Sequence, residues 1–116
     1  MISSLMHVAL GGAIGSVLRY LAVQALGAPL ATLFVNVLGS FAIGALFVAL
    51  GPKMHYGPLL MAGLLGGFTT FSAFSLDTLK LVEAGQVLQA AAYVAGTVFL
   101  SLIAVALGVA LARGLA

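Results

Sequence analysis

Tyr93, Thr97 and Ser101 recur at every fourth position in "YVAGTVFLS", so a helix would set their three hydroxyls in one row on one face. Such a row either bonds back to the preceding turn or lines a polar route. Asn36 and Ser40 share a face in the same way in "LFVNVLGSF". An amide there either ties two helices together or faces a pathway. Phe71 and Phe74 stand three apart. They serve ordinary packing, or they border a path for an anion, because aromatic edges are partially positive and add no fixed charge. Both rings belong to "GLLGGFTTFSAFSLD" at 63–77, where paired glycines and paired β-branched threonines make a poor helix. A break there frees carbonyl oxygens and amide hydrogens, the groups that discontinuous membrane helices use to bind ions. Freed carbonyls are hard oxygen ligands suited to a small cation, transported or structural.

The elements that must hold these residues are membrane spans. The chain has 116 residues, 64% hydrophobic and only 5% charged, too little charge to cover a soluble domain. Four stretches reach the roughly 20 apolar residues that a spanning helix needs: about 3–26, 31–50, 57–82 and 88–112, the last stopping before Arg113. Short connections, "GAPL", "GPKMHY" and "EAGQ", make consecutive helices antiparallel neighbours. The expected fold is therefore an all-α membrane protein, residues 1–116 forming a single four-helix transmembrane domain. Its third helix is broken near mid-membrane, where irregular backbone is tolerated only when buried in protein or lining a cavity. Gly11/Gly15, Gly63/Gly67 and Ser40/Gly44 are small pairs that let helices approach closely. The opening "MISSLMHVAL" lacks the positive n-region of a signal peptide, so the first stretch is expected to be a retained span.

Positive charge is split evenly between the two faces. Lys53 and Arg113 fall on one side, Arg19 and Lys80 toward the other, and the positive-inside bias casts almost no vote. Either other cues fix one orientation, or the chain inserts both ways up and pairs as an antiparallel dimer with closed two-fold symmetry. One four-helix bundle has little interior to spare, so a transport function is expected to need an oligomer.

Several classes are disfavoured. There is no cysteine for disulfides or thiolate chemistry, and no basic cluster for nucleic acid. His7 and His55 lie near the membrane surface, far from Asp77, with no nucleophile motif, so no enzyme is expected. A proton-coupled drug exporter needs an embedded carboxylate, yet Asp77 and Glu83 both follow the break and span one has none. An accessory membrane subunit without a pathway remains the other reading. The lack of a central Lys or Arg fits weak donors instead: the Asn36 amide, the Thr97 and Ser101 hydroxyls and the ring edges. Permeation requires binding weak enough to allow exit.

Taken together, "GGAIGSVLRY" at 11–20, "TLFVNVLGSFAIG" at 32–44, "GLLGGFTTFSAFSLD" at 63–77 and the row from Tyr93 to Ser101 resemble the CrcB/Fluc family of bacterial fluoride channels over nearly the whole chain. The resemblance implies a dual-topology antiparallel homodimer in the bacterial cytoplasmic membrane, with two fluoride pathways exporting fluoride passively. It implies Asn36 on the pore, Phe71 and Phe74 as rings contacting fluoride, and Tyr93, Thr97 and Ser101 as a polar track. Thr70 and Ser72 would lie close to the pathway and Arg19 at a vestibule. A structural sodium ion would be held on the two-fold axis by the carbonyls of Gly66 and Thr69 from both subunits. Ala73 and Asp77 depart from the family pattern, where a hydroxyl residue and Glu are common.

Overall fold

The helices stop where backbone chemistry stops them. A computed structural model describes residues 1–51 and 54–115. Helix α1 (Ile2–Leu26) closes with the Gly27 amide donating to the Val23 carbonyl, and Pro29, two residues on, has no N–H with which to continue. Helix α2 (Leu30–Leu50) follows, then a single 3₁₀ turn at Met54–Tyr56. Helix α3 starts as a π-wound segment, Pro58–Leu65, and continues as the α-helical turn Gly66–Phe68. Helix α4 (Ser72–Glu83) and helix α5 (Val87–Leu115) complete the chain. Between these two, Gly85 takes a φ of 80°. Its amide donates to Val82 and that of Gln86 to Leu81. This paired closure needs the left-handed conformation that glycine adopts without penalty.

By length and composition, 2–26, 30–50, 58–83 and 87–115 are each able to cross a membrane, and every described element is helical. The chain is thus a multi-pass membrane protein with four long apolar helices. Large apolar side chains such as Leu5, Leu18, Phe99 and Leu107 face outward, as lipid permits. The bounds match the sequence reading to within a few residues, with one correction. Arg113 lies inside the last turn of α5 and not beyond it, because Arg is a good helix former and a cation suits a helix C-terminus. Lys53, counted in the charge balance, lies outside the described residues.

Two helix pairs carry the packing: α2 lies along α5, and α1 along α3. The two G-x-x-x-G motifs face each other across the second contact. A methyl group on Gly15 would strike the Leu64 carbonyl and sit 2.8 Å from the Phe68 amide nitrogen, and one on Gly67 would come within 2.7 Å of the Gly12 carbonyl. Across the first contact, Gly44 abuts the Val105 carbonyl and Gly108 the Phe41 carbonyl. Backbone meets backbone at both crossings, leaving a core of small side chains with Ala31 and Val35 wholly enclosed.

Gly15→Leu is expected to separate α1 from α3 and to cost at least about 1–3 kcal/mol, the usual penalty of overpacking. Gly96→Leu, where nothing lies within 4 Å, is the control. The temperature at which each purified variant loses its monodisperse elution peak in detergent reads the difference. Equal temperatures would show that the crossing tolerates the added volume.

Candidate functional site

The helical ladder fails between α3 and α4, and side chains from elsewhere take over its bonds. Gly66 and Gly67 remain helical; the backbone leaves the helix one residue past Phe68, at Thr69, with φ −87° and ψ 158°. The departure thus falls at the threonines, whose branched side chains crowd the preceding turn. Thr69 still caps α3, since its amide and its hydroxyl both donate to the Leu65 carbonyl, at 3.0 and 2.9 Å. Thr70 is held by Asn36, which donates from Nδ2 to the Thr70 carbonyl (2.9 Å) and accepts the Thr70 amide hydrogen at Oδ1 (2.8 Å). Thr70 Oγ1 accepts the Ala73 amide hydrogen at 3.1 Å, the bond by which an N-cap residue starts a helix, and meets Ser72 Oγ at 3.3 Å.

These substitutions decide which carbonyls are left. In an unbroken helix the Thr70 amide would bond Gly66 and the Ala73 amide would bond Thr69. Here the first goes to Asn36 and the second to the Thr70 hydroxyl. The Gly67 carbonyl, between them, accepts from Arg19 Nε at 3.0 Å.

On the far side of the break, the Phe71 and Phe74 rings meet edge to face with centroids 5.5 Å apart. Phe74 is buried and reaches the Tyr93 ring at 5.3 Å, whereas Phe71 is 77% exposed. A cavity of about 570 Å³ opens beside the break. Asn36 and Ser40 line it from α2, Gly66 from the last turn of α3, Thr69 and Thr70 from the break, Phe71 and Phe74 from the start of α4, and Thr97 and Ser101 from α5. Thr97 Oγ1 and Ser101 Oγ are buried, and among the described residues neither has a hydrogen-bond partner.

Three of the residues singled out in the sequence lie off this wall. Arg19 is on α1 against Gly67, and Ser72 is turned to Thr70. Tyr93 shares the face of Thr97 and Ser101, but its hydroxyl donates to Asp77 Oδ2 at 3.2 Å. Thr32 donates to the same oxygen at 2.7 Å, so one buried carboxyl links α2, α4 and α5. Sequence reasoning weighed Asp77 as a carboxylate misplaced for an exporter or an enzyme and as a departure from a family pattern, not as a helix link, and missed Thr32. A signal was present: Thr32 stands four residues before Asn36 and extends the Asn36/Ser40 face by a turn. Gly39 was also missed; its bare Cα accommodates the Thr69 methyl.

Residues 6–109 match the family described as "CrcB-like protein, Camphor Resistance (CrcB)". A protein of Cereibacter sphaeroides named "Fluoride-specific ion channel FluC" is 53% identical over 121 residues, covering 98% of each chain. Proteins of the same name from Paracoccus denitrificans and Rhizobium meliloti are 49% and 50% identical. The first covers 95% of this chain and 94% of its own, the second 90% and 92%. By a match that runs through all four spans, and by relatives about half identical over nearly the whole of both chains, this chain belongs to the CrcB-like family.

Proposed function

We propose that this chain is a fluoride channel that lets cytoplasmic fluoride leave the cell passively. The carrying observation is the pair of buried, unpartnered hydroxyls at Thr97 and Ser101 on the wall of a cavity shared with Asn36 and the Phe71/Phe74 rings. An unsatisfied buried polar group costs about 1–3 kcal/mol, so these hydroxyls are suited to a small anion that accepts hydrogen bonds. Fluoride is such an anion, and the relatives at about half identity carry it in their names. Asn36 keeps a second Nδ2 hydrogen after holding Thr70, since an amide has two. The ring edges add positive potential without charge. Each contact is weak, which allows exit as well as entry. Fluoride that entered as HF and dissociated in a less acidic cytoplasm would flow outward through this route. The relatives are named as channels, and this chain is not an enzyme.

The working unit is an antiparallel dual-topology homodimer in the bacterial cytoplasmic membrane, with two pathways. The even charge balance supports it, and so does the exposure of Phe71 beside the break, which leaves a proposed pathway ring for a second copy to cover. Thr70 borders the route and Ser72 stands close behind it, against the Thr70 hydroxyl. Tyr93, through Asp77, fixes the end of the hydroxyl row. A structural sodium ion fits the carbonyls of Gly66 and Thr69, because the amides that would ordinarily occupy them are bonded elsewhere. Bound there, the ion would supply positive charge to the ends of the broken helix.

Fluoride efflux from liposomes, with chloride in parallel and an ionophore to dissipate voltage, tests the reading. Rapid fluoride release without chloride release is expected. Silence for both anions from a dimeric preparation would favour the accessory-subunit reading. Phe71→Ile should slow fluoride release roughly tenfold or more, the effect of losing about 1.4 kcal/mol at the barrier, while the dimer still assembles. Wild-type flux from that variant would remove the ring edge from the mechanism. Replacing sodium by N-methylglucamine on both sides should lower flux or dissociate the dimer on size exclusion. Indifference to prolonged sodium removal would discard the carbonyl site.

A further inference from the structure

We infer that Arg19 is a positioning residue that caps the C-terminus of α3, setting the broken end of that helix, and not a charge that attracts anions. A helix leaves its last four carbonyls without amide partners, and for α3 these are Leu65 to Phe68, with Thr69 next in line. The Leu65 carbonyl is taken by Thr69, twice over. The Gly67 carbonyl is taken by Arg19 from another helix, at 3.0 Å through Nε. The bonding atom matters. Nε lies within the side chain, next to Cδ, so the contact places the guanidinium against the helix end. A cation at a helix C-terminus also complements the dipole of that end. The approach is possible because α1 and α3 touch backbone to backbone one turn away: the Ser16 amide nitrogen would lie 3.2 Å from a methyl group on Gly67. Arg19 thereby pins the Gly67 carbonyl, which with that of Phe68 lies between the Gly66 and Thr69 carbonyls whose helical amide partners are bonded elsewhere. The task this gives Arg19 in conduction rests on the channel reading above.

Side-chain geometry separates the two roles. Glutamine places its amide nitrogen one bond beyond Cδ, where arginine has Nε, so Arg19→Gln retains the donor and loses the charge. Arg19→Lys keeps the charge but has a methylene in the place of Nε. Gly67–Phe68 is the single Gly-Phe step in the sequence. Labelling glycine carbonyls with ¹³C and phenylalanine with ¹⁵N therefore isolates the Gly67 carbonyl resonance in the full-length protein in lipid. The hydrogen-bonded shift is expected in wild type and in Arg19→Gln, and an upfield move in Arg19→Lys. Fluoride release and its sodium requirement should rank the same way, with Arg19→Gln above Arg19→Lys and the sodium concentration for half-maximal function raised on the order of tenfold in the latter, the factor one hydrogen bond of ordinary strength corresponds to. The reverse ranking, in shift or in flux, overturns the cap and makes Arg19 an electrostatic residue. If only Arg19→Gln folds, the cap is supported; if only Arg19→Lys folds, it falls. Should neither fold, ¹⁵Nε-arginine must show a dipolar contact to the same Gly67 carbonyl in the unsubstituted protein, and absence of that contact overturns the proposal. The carbonyl readout involves neither fluoride nor sodium, so a wild-type protein silent in liposomes would end the channel reading while leaving the cap to be judged separately.

Discussion

The centre of this molecule depends on two hydrogen bonds between one side chain and the backbone of one residue. Asn36 meets the Thr70 carbonyl and the Thr70 amide at 2.9 and 2.8 Å, presenting the same donor and acceptor that a second strand of backbone would. A peptide pulled out of a helix inside an apolar protein leaves groups that water cannot reach, and each must find a partner. A carboxamide suits this task because it is neutral and carries both functions in one plane. Aspartate would repel the carbonyl and leucine would abandon both groups. With the peptide secured, the next four residues restart a helix in a new register, and the rings at Phe71 and Phe74 are aimed by that restart.

Close backbone contact supports the same region from two directions. Glycines on α1 and α3 bring those helices near enough for Arg19 to reach across to Gly67. Glycines on α2 and α5 bring the wall that bears Thr97 and Ser101 against the wall that bears Asn36 and Ser40. Lipid supplies no hydrophobic drive between helices, so association relies on such contact and on hydrogen bonds. The Thr32–Asp77–Tyr93 link adds three helices' worth of polar attachment near the buried ring of Phe74. A polar site is thus built from elements that are almost wholly apolar outside it.

How far this was legible varied with the range of the interaction concerned. Spans, loop positions and small-residue pairs were readable because lipid thickness and helix periodicity act locally along the chain. The stretch that leaves the helix was readable, but not which of its residues would do so. Of the paired glycines and paired threonines in that stretch, the glycines stay helical, Gly67 packed against Gly12 of α1, and the threonines yield first. For Asn36, bonding a neighbour and facing a pathway were alternatives in the sequence; in the fold it does the first while standing on the cavity wall. Arg19, Thr32 and Asp77 were opaque for a common reason. Arg19 and Thr32 reach partners 48 and 45 positions away, and Asp77 reaches Tyr93 16 away, all beyond any helical spacing rule.

The free hydroxyls of Thr97 and Ser101 have a consequence for direction. A hydroxyl whose hydrogen is already committed, like those of Thr32 and Tyr93 toward Asp77, is a fixed dipole. An uncommitted one is a rotor about a single C–O bond, able to turn its hydrogen toward either end of α5. A row made of rotors has no built-in sense, as a turnstile without a ratchet has none. On the channel reading, net movement past it would be set by the concentrations and the voltage on the two sides, and reversing those would reverse the flow without any change in the protein.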